Sequence, residues 1–455
     1  MGLSGLIHVR NLFLVLLCGI LYVGCVTSKT SGEEERAPTS EESQDITVRW
    51  AWIHGDEGRS TPPFLRVATP GGTSGGEGFG YQALTLELDL VADLPPNLSL
   101  ILVHCDHDWN PTRSVFIQDR SRLRTNDFIV DPAPFTARNY DYKASITFPA
   151  SSNSVNILHS GNYIARVVDY YNEDHVIAEL PFFAVESVAG VSLQMQSDFF
   201  ESAWTDKAQD GLVARVEIIP GLSLFSSNFQ GIDLIEQGKW DQPMVANEQS
   251  ARKSAKEGEY RSSWSPWYGG KVLAEFYNIP SGNEHRILDL TDMVSFPAID
   301  GPVSTRVSDE PRFATFAEHD NDGLPRFDYV QSTDDDYVYF EFNLDIQGEK
   351  VYDDMAVVGT FNNWTPTWDW RLTYDPSTRR YLARGWMKRA VQEYEYVSGK
   401  WNVDEGILEM PEATLIEGNS VYATQTWFAL AYYRDQTSLA YDRIVGVGAD
   451  ASGGR

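Results

Sequence analysis

Leu100-Ile-Leu-Val-His-Cys-Asp-His-Asp-Trp109, followed by Asn110-Pro-Thr112, is the stretch that decides the fold. Every second residue from Leu98 to Leu102 is leucine, which is the period of a β-strand. In an extended continuation the side chains alternate between the two faces, with His104, Asp106 and Asp108 on one and Cys105, His107 and Trp109 on the other. The apolar run therefore predicts a strand that ends in a polar turn.

Two interpretations of this polar motif compete. A tetrahedral metal site from His104, Cys105 and His107 would require the strand to break inside the motif, and no cysteine follows Cys105. In the architectural interpretation Cys105 is a small core residue, Trp109 anchors packing, and the two aspartates hydrogen-bond the turn. We expect this structural role, with no metal, for His104, Cys105, Asp106, Asp108 and Trp109. An acid–base pair of His104 with Asp106 is the enzymatic alternative.

Length and composition set limits on the architecture and the partners. The chain has 455 residues, enough for about three domains of ordinary size. Its 65 acidic residues outnumber its 36 basic ones, so the formal charge is -29. This excess of negative charge repels phosphate backbones, and we therefore expect no nucleic acid partner. The aromatic share of 13% favours strands.

The N-terminus has the pattern of a secretory leader. Arg10 precedes the apolar segment 12–23, which is short for a membrane span and suits a signal-peptide core. Because a glycine stands directly before Cys25, this end is similar to a bacterial lipobox, and we predict a cleaved signal at 1–25 with Cys25 lipidated. Ordinary secretory cleavage nearby and an uncleaved anchor remain alternatives. The Ser, Thr and Glu residues of 26–45 predict a disordered acidic tether.

Strand patterns recur along the remaining chain, and helical periodicity is scarce. Leu84-Thr-Leu-Glu-Leu-Asp-Leu90 alternates as a half-buried strand, and turn residues such as Pro95-Pro-Asn97 separate it from the next one. Short strands at this spacing predict an all-β chain of tandem immunoglobulin-like β-sandwiches. The predicted segments are an N-terminal sandwich at 46–187, a β-rich middle domain at 188–325, an immunoglobulin-like domain at 330–447 and a flexible tail at 448–455.

Two short motifs resemble known sites without their structural context. Gly72-Thr-Ser-Gly-Gly76 fits the pattern of a hydrolase nucleophile elbow around Ser74, but the glycines after it forbid the helix that an elbow requires. Glu318-His-Asp-Asn-Asp-Gly323 resembles half of a calcium loop, but Tyr329 stands where an EF-hand has glutamate. We expect a flexible loop in the first case and an exposed acidic turn in the second.

Aromatic residues cluster in the C-terminal segment. The run from Val357 to Trp364, Val-Val-Gly-Thr-Phe-Asn-Asn-Trp, is similar to glycogen-binding immunoglobulin-like modules, in which Trp side chains stack on sugar rings. Trp364, Trp368 and Trp370 are therefore candidate glycan or partner contacts. In the competing interpretation Trp364 packs inside its own sandwich and Trp368 covers an edge.

Several motifs in order make the chain resemble the type IX secretion system plug proteins of Bacteroidota. They include the motif from His104 to Trp109, Ser160-Gly-Asn-Tyr163, Ser281-Gly-Asn-Glu-His-Arg-Ile-Leu-Asp289, Gly359 to Trp364, and Tyr441-Asp-Arg-Ile444. Two features depart from the family pattern: the lipobox, and His285, which stands where the family has an aromatic residue.

The resemblance implies a function without catalysis and without a cofactor. A protein of this family closes the periplasmic side of the very large outer-membrane translocon β-barrel when no substrate passes. The expected location is then the outer membrane, lipid-anchored, on the periplasmic face. Trp264 and Trp267 are candidate contacts with the barrel. A carbohydrate-binding outer-membrane lipoprotein is the alternative function.

Overall fold

The computed structural model describes residues 45–55, 62–67, 79–201, 208–240, 242–252, 260–297, 299, 301–312, 320–327, 337–348, 350, 354–434 and 440–453. The predicted signal peptide with Cys25, nearly all of the predicted tether, and Ser74 lie outside these residues. Within the described part of the chain, no helix has the length and apolar character needed to cross a membrane.

The first sandwich follows from the alternation seen in the sequence. Its strands are β1 Thr47–Gly55, β2 Phe64–Arg66, β3 Leu84–Val91, β4 Leu98–Cys105, β5 Arg124–Thr125, β6 Ile129–Pro132, β7 Tyr142–Phe148, β8 Gly161–Asp169 and β9 Val176–Val185. One sheet has the order β1-β3-β7-β6, and β4, β5, β8 and β9 lie in the facing sheet. The alternate leucines of β3 and β4 fill the core between the two sheets, as period-two burial requires.

The second sandwich begins directly after β9. Its segment contains β10 Gly190–Glu201, β11 Ala208–Ile219, β12 Phe229–Glu236, β13 Met244–Ala246, β14 Arg261–Tyr268, β15 Lys271–Pro280 and β16 Arg286–Asp289, with 3-10 turns at Ser226–Asn228 and Ser250–Arg252. The sheet β10-β11-β15-β14 packs through alternate residues of β11 and β15 onto β12.

The third sandwich is followed in the chain by a hairpin that belongs to a different sheet. The elements are β17 Tyr337–Asp345, β18 Met355–Gly359, β19 Thr373–Asp375, β20 Arg380–Lys388, β21 Val391–Asn402, β22 Ile407–Glu412, α1 Thr414–Glu417, β23 Gln425–Arg434 and β24 Asp442–Ser452, with a 3-10 turn at Trp368–Trp370. The sheet β17-β20-β19 faces a sheet in which β21 pairs with β16, β18 and β22.

The hairpin β23–β24 joins the first two sandwiches. A single nine-stranded sheet has the order β13-β12-β23-β24-β9-β8-β4-β5, with β2 beside β9. β24 runs parallel to β9 where Ile444 is opposite Val185, and β23 runs antiparallel to β12. One half of this sheet therefore closes the first sandwich, and the other half closes the second.

The all-β prediction is confirmed, with one correction at the C-terminus. The tail predicted to be flexible from residue 448 is strand as far as Ser452, because β24 is paired along its length with β23. The sheets also do not follow the three predicted segments, since β23 and β24 come from the last segment and β16 from the middle one.

Candidate functional site

His104 stands near the end of β4 and is fully buried. Its Nε2 lies 3.1 Å from the Ser160 carbonyl oxygen, and its Nδ1 lies 2.8 Å from Oγ1 of Thr112. Because a carbonyl oxygen only accepts, Nε2 carries the proton and Nδ1 accepts from the Thr112 hydroxyl. Burial lowers the pKa of His104 to about 4, which keeps the ring neutral. Both ring nitrogens thus hold neighbouring loops, and neither is paired with Asp106.

The turn after His104 is stabilised by one of the two aspartates. Asp106 Oδ1 accepts the backbone N–H of Asp108 at 3.0 Å and of Asn110 at 2.9 Å. The Asp108 carboxylate, expected to make similar bonds, is instead solvent-exposed and lies 3.5 Å from His107 Nδ1. Asp106 alone therefore supplies the side-chain acceptor of the turn.

The apolar members of the motif are packed against the interior of the protein. Cys105 is fully buried, and burial raises the pKa of its thiol to about 12. Trp109 has a φ of 62°, and its ring meets Phe183 edge-on at 5.5 Å within an apolar cluster on the shared sheet. The predicted structural role of the motif stays a prediction, and these contacts support it.

His107 connects the motif to the second half of the shared sheet. Its Nε2 lies 2.8 Å from Oδ1 of Asp233 on β12, and its backbone N–H donates to Asp442 at the start of β24. Burial lowers the pKa of His107, but the Asp233 carboxylate outweighs that effect and raises it to about 9. The sequence did not reveal this pairing, because Asp233 is distant in the chain and belongs to no recognisable motif.

Asn162 also connects the motif to the shared sheet. Its side-chain amide donates to the carbonyls of Asp106 and His107 at 3.2 Å each, and Tyr432 donates to its Oδ1 at 2.8 Å. The neighbouring Gly161 has a φ of 140°, and a Cβ there would lie 2.6 Å from His104 Nε2. Glycine is therefore required where β8 passes the imidazole.

The three candidate tryptophans do not form a common platform. Trp364 is 2% exposed, and its Nε1 donates to the Gly323 carbonyl at 3.1 Å. Trp370 packs against Phe361 at 4.5 Å in the third core. Trp368 is 40% exposed, but the Arg371 guanidinium lies 4.5 Å from its ring centroid. The three residues are close in the sequence, but the fold places them in different surroundings.

The acidic turn at 320–323 differs from the expectation. The Asp320 side chain is 1% exposed and lies 2.9 Å from Nδ1 of the equally buried His285. Burial lowers the pKa of His285, but Asp320 and Glu393 outweigh that effect and raise it to about 10. The turn is half-buried rather than exposed because its backbone N–H groups bond to Glu393 on β21, which its local sequence does not indicate.

Two surfaces of the described residues could receive a partner. A groove of about 1290 Å³ runs from the motif at His104–Trp109 to the rim of the second sandwich, where Trp264 forms part of its wall. Trp267 is well exposed near the end of β14. On the first sandwich, Val115 and Phe116 are each 75% exposed beside Leu158, around a hollow of about 280 Å³. We call Val115, Phe116 and Leu158 the apolar edge.

These features define an all-β protein of three sandwiches, two of them joined by a common sheet. Residues 78–186 match the family model described as "Type 9 secretion system plug protein 1st domain". The chain thus carries a domain of the type IX secretion system plug family at these residues, and the resemblance inferred from the motifs is confirmed there. The match associates the chain with type IX secretion.

The other comparisons concern curated proteins and solved structures. No curated protein matches the chain. The crystal structure of a hypothetical protein from Parabacteroides merdae superimposes with a TM-score of 0.67 at 16% identity, covering 90% of this chain and 98% of that chain. At this identity the similarity shows the fold alone, and it extends over nearly the whole of both chains.

Proposed function

We propose that the protein is a non-catalytic component of the type IX secretion system that seals the periplasmic side of the outer-membrane translocon. The observation that carries this proposal is the plug-domain match at residues 78–186, the part of the chain that contains the motif at His104–Trp109. The polar residues of that motif hold strands together, as a scaffold protein requires.

Rigidity of the body supports the proposal. A plug must keep its shape against a much larger barrel, and a continuous sheet resists bending because its hydrogen-bond ladder crosses the domain border. Here Val185 of β9 pairs with Ile444 of β24, β24 pairs with β23, and β23 pairs with β12. His107 and Asp233 are bonded across the same border. The first two sandwiches can therefore act as one body.

The apolar edge is the contact surface that we propose for the barrel. It lies in the matched domain, and Phe116 offers a large aromatic side chain of the kind that dominates interface energies. A stable contact buries more than about 1,000 Å², so the apolar edge would be the centre of a wider polar interface.

Photo-cross-linking in intact cells tests this proposal. A photoreactive amino acid at Phe116 should give an adduct with the very large translocon barrel. The same group at Leu222, an exposed residue in the second sandwich, serves as the matched control and should give none. If neither position yields the barrel, and deletion of the gene leaves the outer membrane no more permeable to small solutes, the proposal is wrong.

We also propose that Cys25 carries a lipid anchor that holds the protein to the outer membrane on its periplasmic face. Several acyl chains give stable membrane attachment, whereas one chain gives only reversible binding. Metabolic labelling with an alkyne fatty acid should mark the wild-type chain and not Cys25→Ser. Labelling that persists in the variant would contradict the anchor.

The carbohydrate-binding alternative has weaker support. Sugar stacking needs exposed, roughly coplanar aromatic faces, yet Trp364 is buried and Trp370 is packed in the third core. The remaining exposed ring, Trp368, meets Trp401 at 72° rather than in a plane.

A further inference from the structure

A buried group of charged side chains lies between β16, β21 and the turn at 320–323. Its centre is formed by His285, Asp320 and Glu393, whose side chains are each 1% exposed. Nδ1 of His285 lies 2.9 Å from Oδ2 of Asp320 and 3.6 Å from Oε2 of Glu393. We call these three residues the His285 cluster.

The imidazole is close to both carboxylates without being well bonded to either. Among the described residues, neither ring nitrogen of His285 makes a hydrogen bond of good angle, although Nδ1 lies at hydrogen-bond distance from Asp320. One small cation with ligand bonds of about 2.0–2.2 Å places neighbouring ligand atoms roughly 3.0–3.6 Å apart. The two distances from Nδ1, 2.9 Å to Asp320 and 3.6 Å to Glu393, therefore also match the spacing of neighbouring ligands on one cation.

Backbone N–H groups hold the two carboxylates in place. Glu393 accepts the N–H of Asn321 at 2.5 Å and of Gly323 at 2.8 Å, one on each oxygen. Asp320 accepts the N–H of Asp322 on Oδ1 at 2.8 Å and the backbone N–H of His285 on Oδ2. Such second contacts orient ligand oxygens before a cation arrives and lower the cost of binding.

The nearby lysine does not provide the missing charge. Lys239 Nζ lies 2.9 Å from Glu395 and 3.5 Å from Glu236, so its charge is committed to that pair. Buried carboxylates require a compensating charge. For Asp320 and Glu393, that charge is either a proton on His285 or a bound cation.

We propose that His285, Asp320 and Glu393 bind one divalent transition-metal cation of the Zn²⁺ type. One imidazole nitrogen with two carboxylate oxygens suits such an ion, whereas Ca²⁺ and Mg²⁺ prefer oxygen alone. The ion would tie β16 and β21 to the turn at 320–323 and would thereby stiffen the third sandwich. Binding displaces one proton from His285 to solvent, so the affinity rises with pH.

Titration of the full chain in detergent, after removal of metal with a chelator, tests the proposal with Zn²⁺ as the probe. We expect one equivalent to bind, tighter at pH 8 than at pH 6.5, and to raise the Tm. His285→Phe should weaken binding at least 30-fold, measured below its own Tm. That Tm should be lower than the wild-type value in chelator, because Asp320 and Glu393 lose their compensating charge although the ring still packs against Trp364. His175→Gln, at a histidine outside the cluster, is the matched control and should bind Zn²⁺ normally.

Two results would overturn the proposal. One is a wild-type chain that binds no stoichiometric Zn²⁺, and the other is a folded His285→Phe variant that binds it as tightly as the wild type. A measurement on the wild type alone avoids dependence on the variant: Co²⁺ should bind with visible absorption and be displaced by one equivalent of Zn²⁺. Failure of this site would leave the plug function untouched, because cross-linking at Phe116 does not depend on it.

Discussion

Replacing His107 with glutamine should remove a pH-dependent part of the stability of the shared sheet. The folded-state pKa of His107 is about 9, against an ordinary value of 6.5, because Asp233 lies 2.8 Å from Nε2. The other charged groups near this ring are Asp108 and Asp442, and both favour the protonated form. Glutamine keeps a hydrogen-bond donor but cannot take up a proton.

The sign and size of the effect follow from this shift. A group with a raised folded-state pKa contributes its full stabilisation below about pH 6.5 and loses it as pH rises through about 9. Raising the pKa from 6.5 to about 9 stabilises the folded state by at most about 3.4 kcal/mol, at about 1.36 kcal/mol for each tenfold change in proton affinity. Burial raises the pKa of Asp233, so part of this gain is offset, and we expect about 2–3 kcal/mol.

Urea unfolding followed by Trp fluorescence between pH 6 and pH 9.5 measures the difference. The free energy of unfolding of the wild type should exceed that of His107→Gln by about 2–3 kcal/mol more at pH 6 than at pH 9.5. His175→Gln, in the turn between β8 and β9, is the control. Parallel pH profiles for the wild type and His107→Gln would refute the reasoning.

Three further predictions concern single side chains. Tyr432→Phe should cost about 1–2 kcal/mol in urea unfolding, because Asn162 Oδ1 loses its donor in a buried site; an unchanged midpoint would show that the bond is unimportant. Trp364→Ala should cost about 3–5 kcal/mol by cavity formation, whereas Trp368→Ala should change stability by less than about 1 kcal/mol and leave a glycan screen unaltered. The Cys105 thiol, with a pKa of about 12, should be alkylated at pH 8 only after urea unfolding, as peptide mass spectrometry would reveal; fast labelling of the native chain would contradict its burial.

Local patterns predicted the strands but not their sheet partners. The alternate leucines of β3 and β4 predict strands, because the alternation of side chains is a property of the strand itself. The hairpin β23–β24 has the same local pattern wherever it pairs, so the sequence of 330–447 gave no sign that it returns to β9 and β12. The strands with which the hairpin pairs are determined by unpaired strand edges in other parts of the chain.

The contacts of the candidate site also divide into local ones that the sequence predicts and long-range ones that it does not. The bonds from Asp106 to the turn were predictable because donor and acceptor lie within four residues. The pairing of His107 with Asp233 spans 126 residues, and the burial of Asp320 depends on a strand that begins about seventy residues later. Such long-range contacts leave no periodic signal in the chain.

The order of synthesis gives the returning hairpin a consequence for assembly. β12 keeps one open edge until Gln425–Arg434 has been made, so the second sandwich waits for the last part of the chain. Contacts of such long sequence separation fold slowly and expose unpaired edges to other chains meanwhile. Chains cut short before Gln425 should therefore depend on chaperones and be degraded rapidly.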